Sequence, residues 1–296
     1  MTKIRSYLSL IKFSHTIFAM PFALIGFFEG LIYLQQHPEI HSFTQRDFVI
    51  KFILVIVCMV LARSAAMAFN RYLDHSIDAH NPRTAIREIP AGIIRPQHAL
   101  WFTVICSILF IVACYFINTL CFYLSFVALF VVLFYSYTKR FTALCHLVLG
   151  VGLSLAPIGA FLALTGVFAW VPLLFSLSVI TWVSGFDIIY ALQDEQFDKS
   201  QNLHSIPAAL GAKNALGVSR FLHFCSALGI ICAGYLSDAH TFYWCGAIVF
   251  MGMLIYQQSL VKHNDLRKVN LAFMTSNGIA SVVFAVFVIL DLFLRK

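Results

Sequence analysis

The chain has 296 residues, 60% of them hydrophobic and 11% charged, with thirty Phe and a formal net charge of +7. So apolar a composition excludes an ordinary water-soluble fold and places the chain in the integral-membrane class. The positive charge does not point to nucleic acid, because the Lys and Arg are dispersed among loops instead of gathered on one polar segment.

The chain opens on a basic run, Lys3, Arg5 and Lys12, followed by Ser14-His15. With no small-residue cleavage site at a suitable distance, this run is expected to be an amphipathic lead into the first helix and not a signal peptide. Nine apolar helices are predicted, over residues 14–34, 49–73, 98–116, 119–138, 142–164, 170–193, 213–236, 240–261 and 270–293. Pro21 and Pro157 fall inside the first and fifth of these and predict kinks. Gly150 and Gly152 could serve a helix contact, within one protomer or between two. No Gly/Ser linker or low-complexity tract interrupts the series, so residues 1–296 are expected to form a single membrane domain.

The basic residues sort by loop. With the N-terminus in the cytoplasm, fifteen of them collect on the inner side: Lys3, Arg5, Lys12, Arg71, Arg83, Arg87, Arg95, Lys139, Arg140, Lys199, Lys213, Arg220, Lys262, Arg267 and Lys268. The outer side holds only Arg46, Lys51, Arg295 and Lys296, the positive-inside pattern for nine spans with the C-terminus outside. All eight Cys lie in or beside apolar runs, with no C-x-x-C pair and no His at ligand spacing, and are read as small core or lipid-facing residues.

Against this background residues 70–92, NRYLDHSIDAHNPRTAIREIPAG, hold three Arg, two Asp and a Glu. The stretch has an echo in DIIYALQDEQFDKSQNLHSIPAALG, residues 187–211: Asp74 and Asp78 match Asp194 and Asp198 at an offset of 120 residues, and each segment carries an Ile-Pro-Ala tripeptide. Two related halves facing each other are expected. At about 100° per residue, Asn70, Asp74 and Asp78 share one helix face, as do Asp187, Asp194 and Asp198. Carboxylates one turn apart repel, so a cation is expected between them. Oxygen donors without Cys suit Mg²⁺. Arg and Lys close by suit a metal-diphosphate complex, in which they neutralise the phosphate oxygens that the metal leaves.

Asn70-Arg71-x-x-Asp74-x-x-x-Asp78, with Asn81-Pro82-Arg83-Thr84 and Ile89-Pro90-Ala91-Gly92, resembles the first aspartate-rich motif of the UbiA superfamily of intramembrane aromatic prenyltransferases. Asp187-x-x-Tyr190-Ala191-x-x-Asp194-x-x-x-Asp198, with Leu203-His204-Ser205-Ile206-Pro207, resembles its second, and Tyr135 and Lys139 resemble its Tyr-x-x-x-Lys element. The variants are most similar to the 4-hydroxybenzoate polyprenyltransferase-like branch. Arg71 stands where many members have Asp, which leaves the number of ions open.

The resemblance implies a nine-helix bundle of two halves with active-site loops on the cytoplasmic side. It implies Mg²⁺-dependent transfer of a polyprenyl group from its diphosphate to an aromatic acid, a 4-hydroxybenzoate or a related naphthoate, in quinone biosynthesis at the inner membrane. Asn70, Asp74, Asp78, Asp194 and Asp198 are the expected metal ligands. Arg71, Arg83, Arg87, Lys139 and His204 are candidates for the diphosphate, with an ordinary loop histidine as the other reading of His204. Tyr190 and Asp187 are expected at the reaction centre, Asp187 near the acceptor hydroxyl. Arg63, seven residues before Asn70 and so about 10 Å deeper, is assigned to the acceptor carboxylate or a diphosphate oxygen, or else to an ion pair with Asp187 or Glu29. Two rivals are a CDP-alcohol phosphotransferase, whose Gly-Ala-Arg block is missing here, and a secondary transporter, whose charges would sit nearer the midplane.

Overall fold

The structure, a computed structural model, describes residues 3–12, 16, 18–39 and 44–294. Ser14-His15 of the amphipathic lead, and Arg295 and Lys296, lie outside the described residues. Among the described residues the regular secondary structure is helical, apart from an isolated bridge between Lys262 and Asp265. Short helices α1 (Lys3–Leu10), α4 (His75–His80) and α9 (Glu195–Ser200) accompany nine long ones. These are α2 (Met20–Gln36), α3 (Gln45–Leu73), α5 (Pro96–Ile117), α6 (Thr119–Thr138), α7 (Cys145–Thr165), α8 (Trp170–Ala191), α10 (Ile206–Leu236), α11 (Thr241–Leu260) and α12 (Asn277–Leu294).

Seven stretches among the described residues are long and apolar enough to cross a bilayer, so this is an integral membrane protein. The 17-residue α2 is not among them, nor is α11, whose last turn carries Gln257, Gln258 and Ser259. Where the predicted boundaries moved, local chemistry explains the shift. Pro21 sits in the first turn of α2, where its missing N–H has no helical partner, so it starts that helix and does not kink it. The helix predicted from 213 begins at Ile206: Ser205 accepts the Ala208 N–H at 3.2 Å as a cap, and Pro207 occupies the first turn. Gly211, at φ +76°, interrupts it and hides that first turn from the periodicity.

Helix α8 packs on α7 and α10, α3 on α5, α2 on α7, and α11 on α12. An aromatic core of Phe22, Phe175, Trp182, Tyr243, Phe250 and Phe284 joins α2, α8, α11 and α12. A second, smaller-grained core of Ala, Cys and Leu residues joins α2 to α3, α5, α6 and α7. Trp182 Nε1 donates to Asn277 Oδ1 at 3.0 Å inside the aromatic core, so no bare indole N–H is left there. Glycine permits a close approach at Gly150, where a Cβ would lie 2.5 Å from the Ile180 carbonyl of α8. That contact is within the chain. Pro157, inside α7 as predicted, turns its carbonyl against Gly26 of α2, so closely that a side chain there would overlap it.

Candidate active site

Both aspartate motifs fold as the same device. Helix α3 ends at Leu73, Asp74 takes φ −93° and ψ 4°, and α4 follows; α8 ends at Ala191, a 3-10 turn carries the chain to Asp194 at φ −105° and ψ 3°, and α9 follows. The expected continuous helix faces are therefore broken at the first acid of each pair, in the sparsely allowed bridge region where functional residues often sit. Asp78 in α4, Asp194 at the break and Asp198 in α9 are buried.

The two devices meet around a polar cavity of about 200 Å³. Asn81, after α4, donates from Nδ2 to Asp194 Oδ1 at 3.0 Å, and Arg83 Nε donates to the same oxygen at 3.0 Å while its Nη2 pairs with Oδ2. Arg83 Nη1 also donates to the Tyr190 hydroxyl at 2.9 Å, with the guanidinium 5.1 Å from the Tyr190 ring centre. Burial pulls the Arg83 guanidinium down, but its hydrogen bonds and charge attraction with Asp194, and then Tyr190, carry it above its ordinary range. The turn between α6 and α7 serves both motifs. Lys139 Nζ stands 2.6 Å from Asp198 Oδ1, while Arg140 Nη2 donates to Asp74 Oδ1 at 2.8 Å and to the Leu73 carbonyl at 3.2 Å. Arg87 Nη1 donates to both oxygens of Asp78 at 2.7 Å, with Arg71 at 3.9 Å on its other side. Asn70 Nδ2 donates to Asp74 Oδ2 at 3.0 Å.

The cations expected between the acids are thus supplied by the protein itself. Four carboxylates (Asp74, Asp78, Asp194, Asp198) pair with five Arg and Lys side chains (Arg71, Arg83, Arg87, Lys139, Arg140), and the carboxylate of Asp187 lines the same cavity. Such a cluster is close to neutral, and a polyanionic diphosphate would gain little from it without added positive charge. Among the described residues no three carboxylate, imidazole or thiol groups already stand together as a metal site. The donor set is nevertheless hard and oxygen-rich, and the carbonyl oxygen of Asn70 is outside its bond to Asp74. That chemistry fits Mg²⁺ and does not fit a soft metal.

Of the residues singled out in the sequence, Asn70, Arg71, Asp74, Asp78, Arg83, Arg87, Lys139, Asp187, Tyr190 and Asp194 line the cavity, and Asp198 reaches it through Lys139. His204 does not. The residue is exposed, and its backbone N–H donates to the Lys139 carbonyl at 2.7 Å. Arg63 forms neither of the ion pairs considered for it: Asp187 is bonded to His146, and Arg63 Nε is buried without a hydrogen-bond partner. Arg63 lines a second, apolar cavity of about 330 Å³ between α3, α5, α6 and α7, whose wall includes Met59, Phe110, Leu124, Ala156 and Gly159. Tyr135 lines both cavities and marks their junction. Sequence reasoning missed Asn81, Arg140 and His146 as site residues. Asn81 and Arg140 stood beside assigned positions, whereas a lone His at a helix start gave no signal.

Residues 19–279 match the model of the UbiA prenyltransferase family. The chain is 28% identical over 243 residues to a 4-hydroxybenzoate octaprenyltransferase of Nitrosospira multiformis, covering 82% of this chain and 83% of that one. The apo structure of a UbiA homologue from Aeropyrum pernix K1 superposes with a TM-score of 0.76 at 28% identity, covering 93% of this chain and 95% of that one. A UbiA homologue from Archaeoglobus fulgidus bound to DMAPP and Mg²⁺ has the same fold, with a TM-score of 0.75 at 17% identity over 98% of this chain and 99% of that one.

Proposed function

Because the chain belongs to the UbiA prenyltransferase family, we propose that it transfers a polyprenyl group from polyprenyl diphosphate to an aromatic acid, 4-hydroxybenzoate or a related naphthoate, in respiratory quinone biosynthesis. This reading rests on one observation: a polar cavity rimmed by both aspartate motifs adjoins an apolar cavity at Tyr135, as a ligand with a charged head and a long apolar tail requires.

Asn70, Asp74, Asp78, Asp194 and Asp198 would hold Mg²⁺, which when bound supplies charge to stabilise the departing diphosphate. Arg71, Arg83, Arg87 and Lys139 exchange their carboxylate partners for phosphate oxygens, and Arg140 joins them. Such preplaced donors stabilise negative charge most where it develops, on the leaving group. Asp187 and Tyr190 stand on α8 beside that centre. Arg63, unpaired at Nε and seven residues deeper than Asn70, takes the acceptor's carboxylate. The tail lies in the apolar cavity. In this reading residues 1–296 are one domain of nine spans in the inner membrane, with the N-terminus and both motifs cytoplasmic and the C-terminus outside.

Membranes carrying the protein, supplied with Mg²⁺, a polyprenyl diphosphate and a panel of hydroxybenzoate and hydroxynaphthoate acceptors, should release diphosphate and yield a prenylated acid. Asp74→Ala combined with Asp194→Ala should abolish both products. Turnover that survives the double substitution, or wild-type membranes that release no diphosphate, would remove the proposal.

A further inference from the structure

Asp187 has a partner that the motifs do not contain. His146, in the first turn of α7, places Nδ1 2.6 Å from Asp187 Oδ2, and its Nε2 lies 3.3 Å from the backbone nitrogen of Ile206. A backbone N–H can only donate, so Nε2 is the acceptor and the ring proton resides on Nδ1, which donates to Asp187. The tautomer is therefore set by the first residue of α10. Ser184 Oγ donates to the His146 carbonyl at 3.1 Å and ties the backbone of α7 to α8 at the same level.

Exposure differs sharply across the pair. The His146 side chain is 3% exposed, whereas that of Asp187 is 23% exposed and lines the polar cavity. Asp187 Oδ2 is taken by the imidazole, whereas Oδ1 has no hydrogen bond among the described residues. The preceding residue of the loop, Ser205, donates from Oγ to Asp198 Oδ2 at 2.9 Å. The imidazole thus links the deep carboxylate to the loop that secures the last acid of the second motif.

We propose that His146 is a positioning residue that holds Asp187 as the carboxylate receiving the acceptor's proton. The inference rests on the transfer reaction proposed above. In that reaction a bond forms between the acceptor ring and C1 of the prenyl group, the C1–O bond breaks with its electron pair leaving on diphosphate, and the acceptor loses one proton. Asp187 Oδ1 takes that proton. The Nδ1–H bond to Oδ2 keeps the carboxylate from turning away and leaves one oxygen for the acceptor, as an orienting group does for a general base.

The test uses the full-length enzyme in membranes with wild-type activity as its reference, so that failure of the reaction itself is seen first and separately. His146→Leu removes the donor. It should lower kcat with 4-hydroxybenzoate by about 100-fold, the lower end of what a positioned proton acceptor contributes. Affinity for a non-hydrolysable thiolodiphosphate donor analogue with Mg²⁺ should stay within about threefold. His146→Asn, whose amide N–H can occupy the place of Nδ1–H, should recover most of the loss. Unchanged kcat in His146→Leu would overturn the inference. So would a loss of analogue binding in both variants, which marks a packing residue, or an Asn variant as inactive as the Leu variant while still binding the analogue.

Discussion

Arg83 carries the contact between the two motifs, since one guanidinium from the first grips Asp194 through two nitrogens and the Tyr190 hydroxyl through the third. Lysine would keep the charge and lose the fork. Arg83→Lys is expected to weaken kcat/KM for the diphosphate donor by ten- to a hundredfold, about 1.4 to 3 kcal/mol for lost charge-assisted hydrogen bonds. Steady-state kinetics at saturating acceptor would read it. Most of the charged residues around the cavity were legible from spacing, because acids repeated at an offset of 120 residues have no reason to recur in a solvated loop. Their pairing was not legible. Arg140 and Lys139 are neighbours in sequence, yet one serves Asp74 and the other Asp198. His204 sits within the second motif, yet it is exposed and does not line the cavity.

At the scale of the element, α8 is held against α10 by a contact that only glycine allows. A Cβ at Gly185 would lie 2.5 Å from His223 Nε2, and the His223 ring is buried with Nδ1 bonded to Gln258 at 2.9 Å. Gly185→Ala is therefore expected to cost about 1 to 3 kcal/mol through overpacking, offset only slightly by alanine's better helix propensity. Because Gly185 lies two residues before Asp187, the same change should lower activity along with thermal stability, which detergent-solubilised protein can show in paired melting and turnover measurements. Helix positions followed from hydropathy to within a few residues in most cases. The predicted ends at 73 and 193 fall at the breaks before Asp74 and Asp194, but the short helices α4 and α9 that resume after them were not predicted, since each spans only six residues of a polar segment.

For the whole molecule, the decisive feature is that a charged cavity and an apolar one share a wall at Tyr135. Helix α7 runs beside both, from Cys145 and His146 at the polar cavity to Gly159, fourteen residues and about 21 Å further along the axis. A Cβ at Gly159 would meet no atom within 4 Å. Gly159→Phe should therefore fill the far part of the apolar cavity without straining the fold. Given a mixture of donors, the variant is expected to keep transfer from short-tailed diphosphates and to lose at least about tenfold, roughly 1.4 kcal/mol of tail burial, with long ones. Product chain lengths by mass spectrometry would show it. An unchanged length profile would mean that the tail lies elsewhere.

By itself the sequence determined the solvent, the helices and the chemical character of the site, because hydropathy, charge sorting and a repeated acid spacing are properties of residues near one another in the chain. The tertiary structure decided which acid meets which base, that Asp187 is held by His146 and not by Arg63, and that the polar cavity opens beside an apolar one. Those facts depend on distances between side chains up to 113 positions apart, as in Asn81 and Asp194. Such distances are set by how whole helices pack, and no local pattern encodes them.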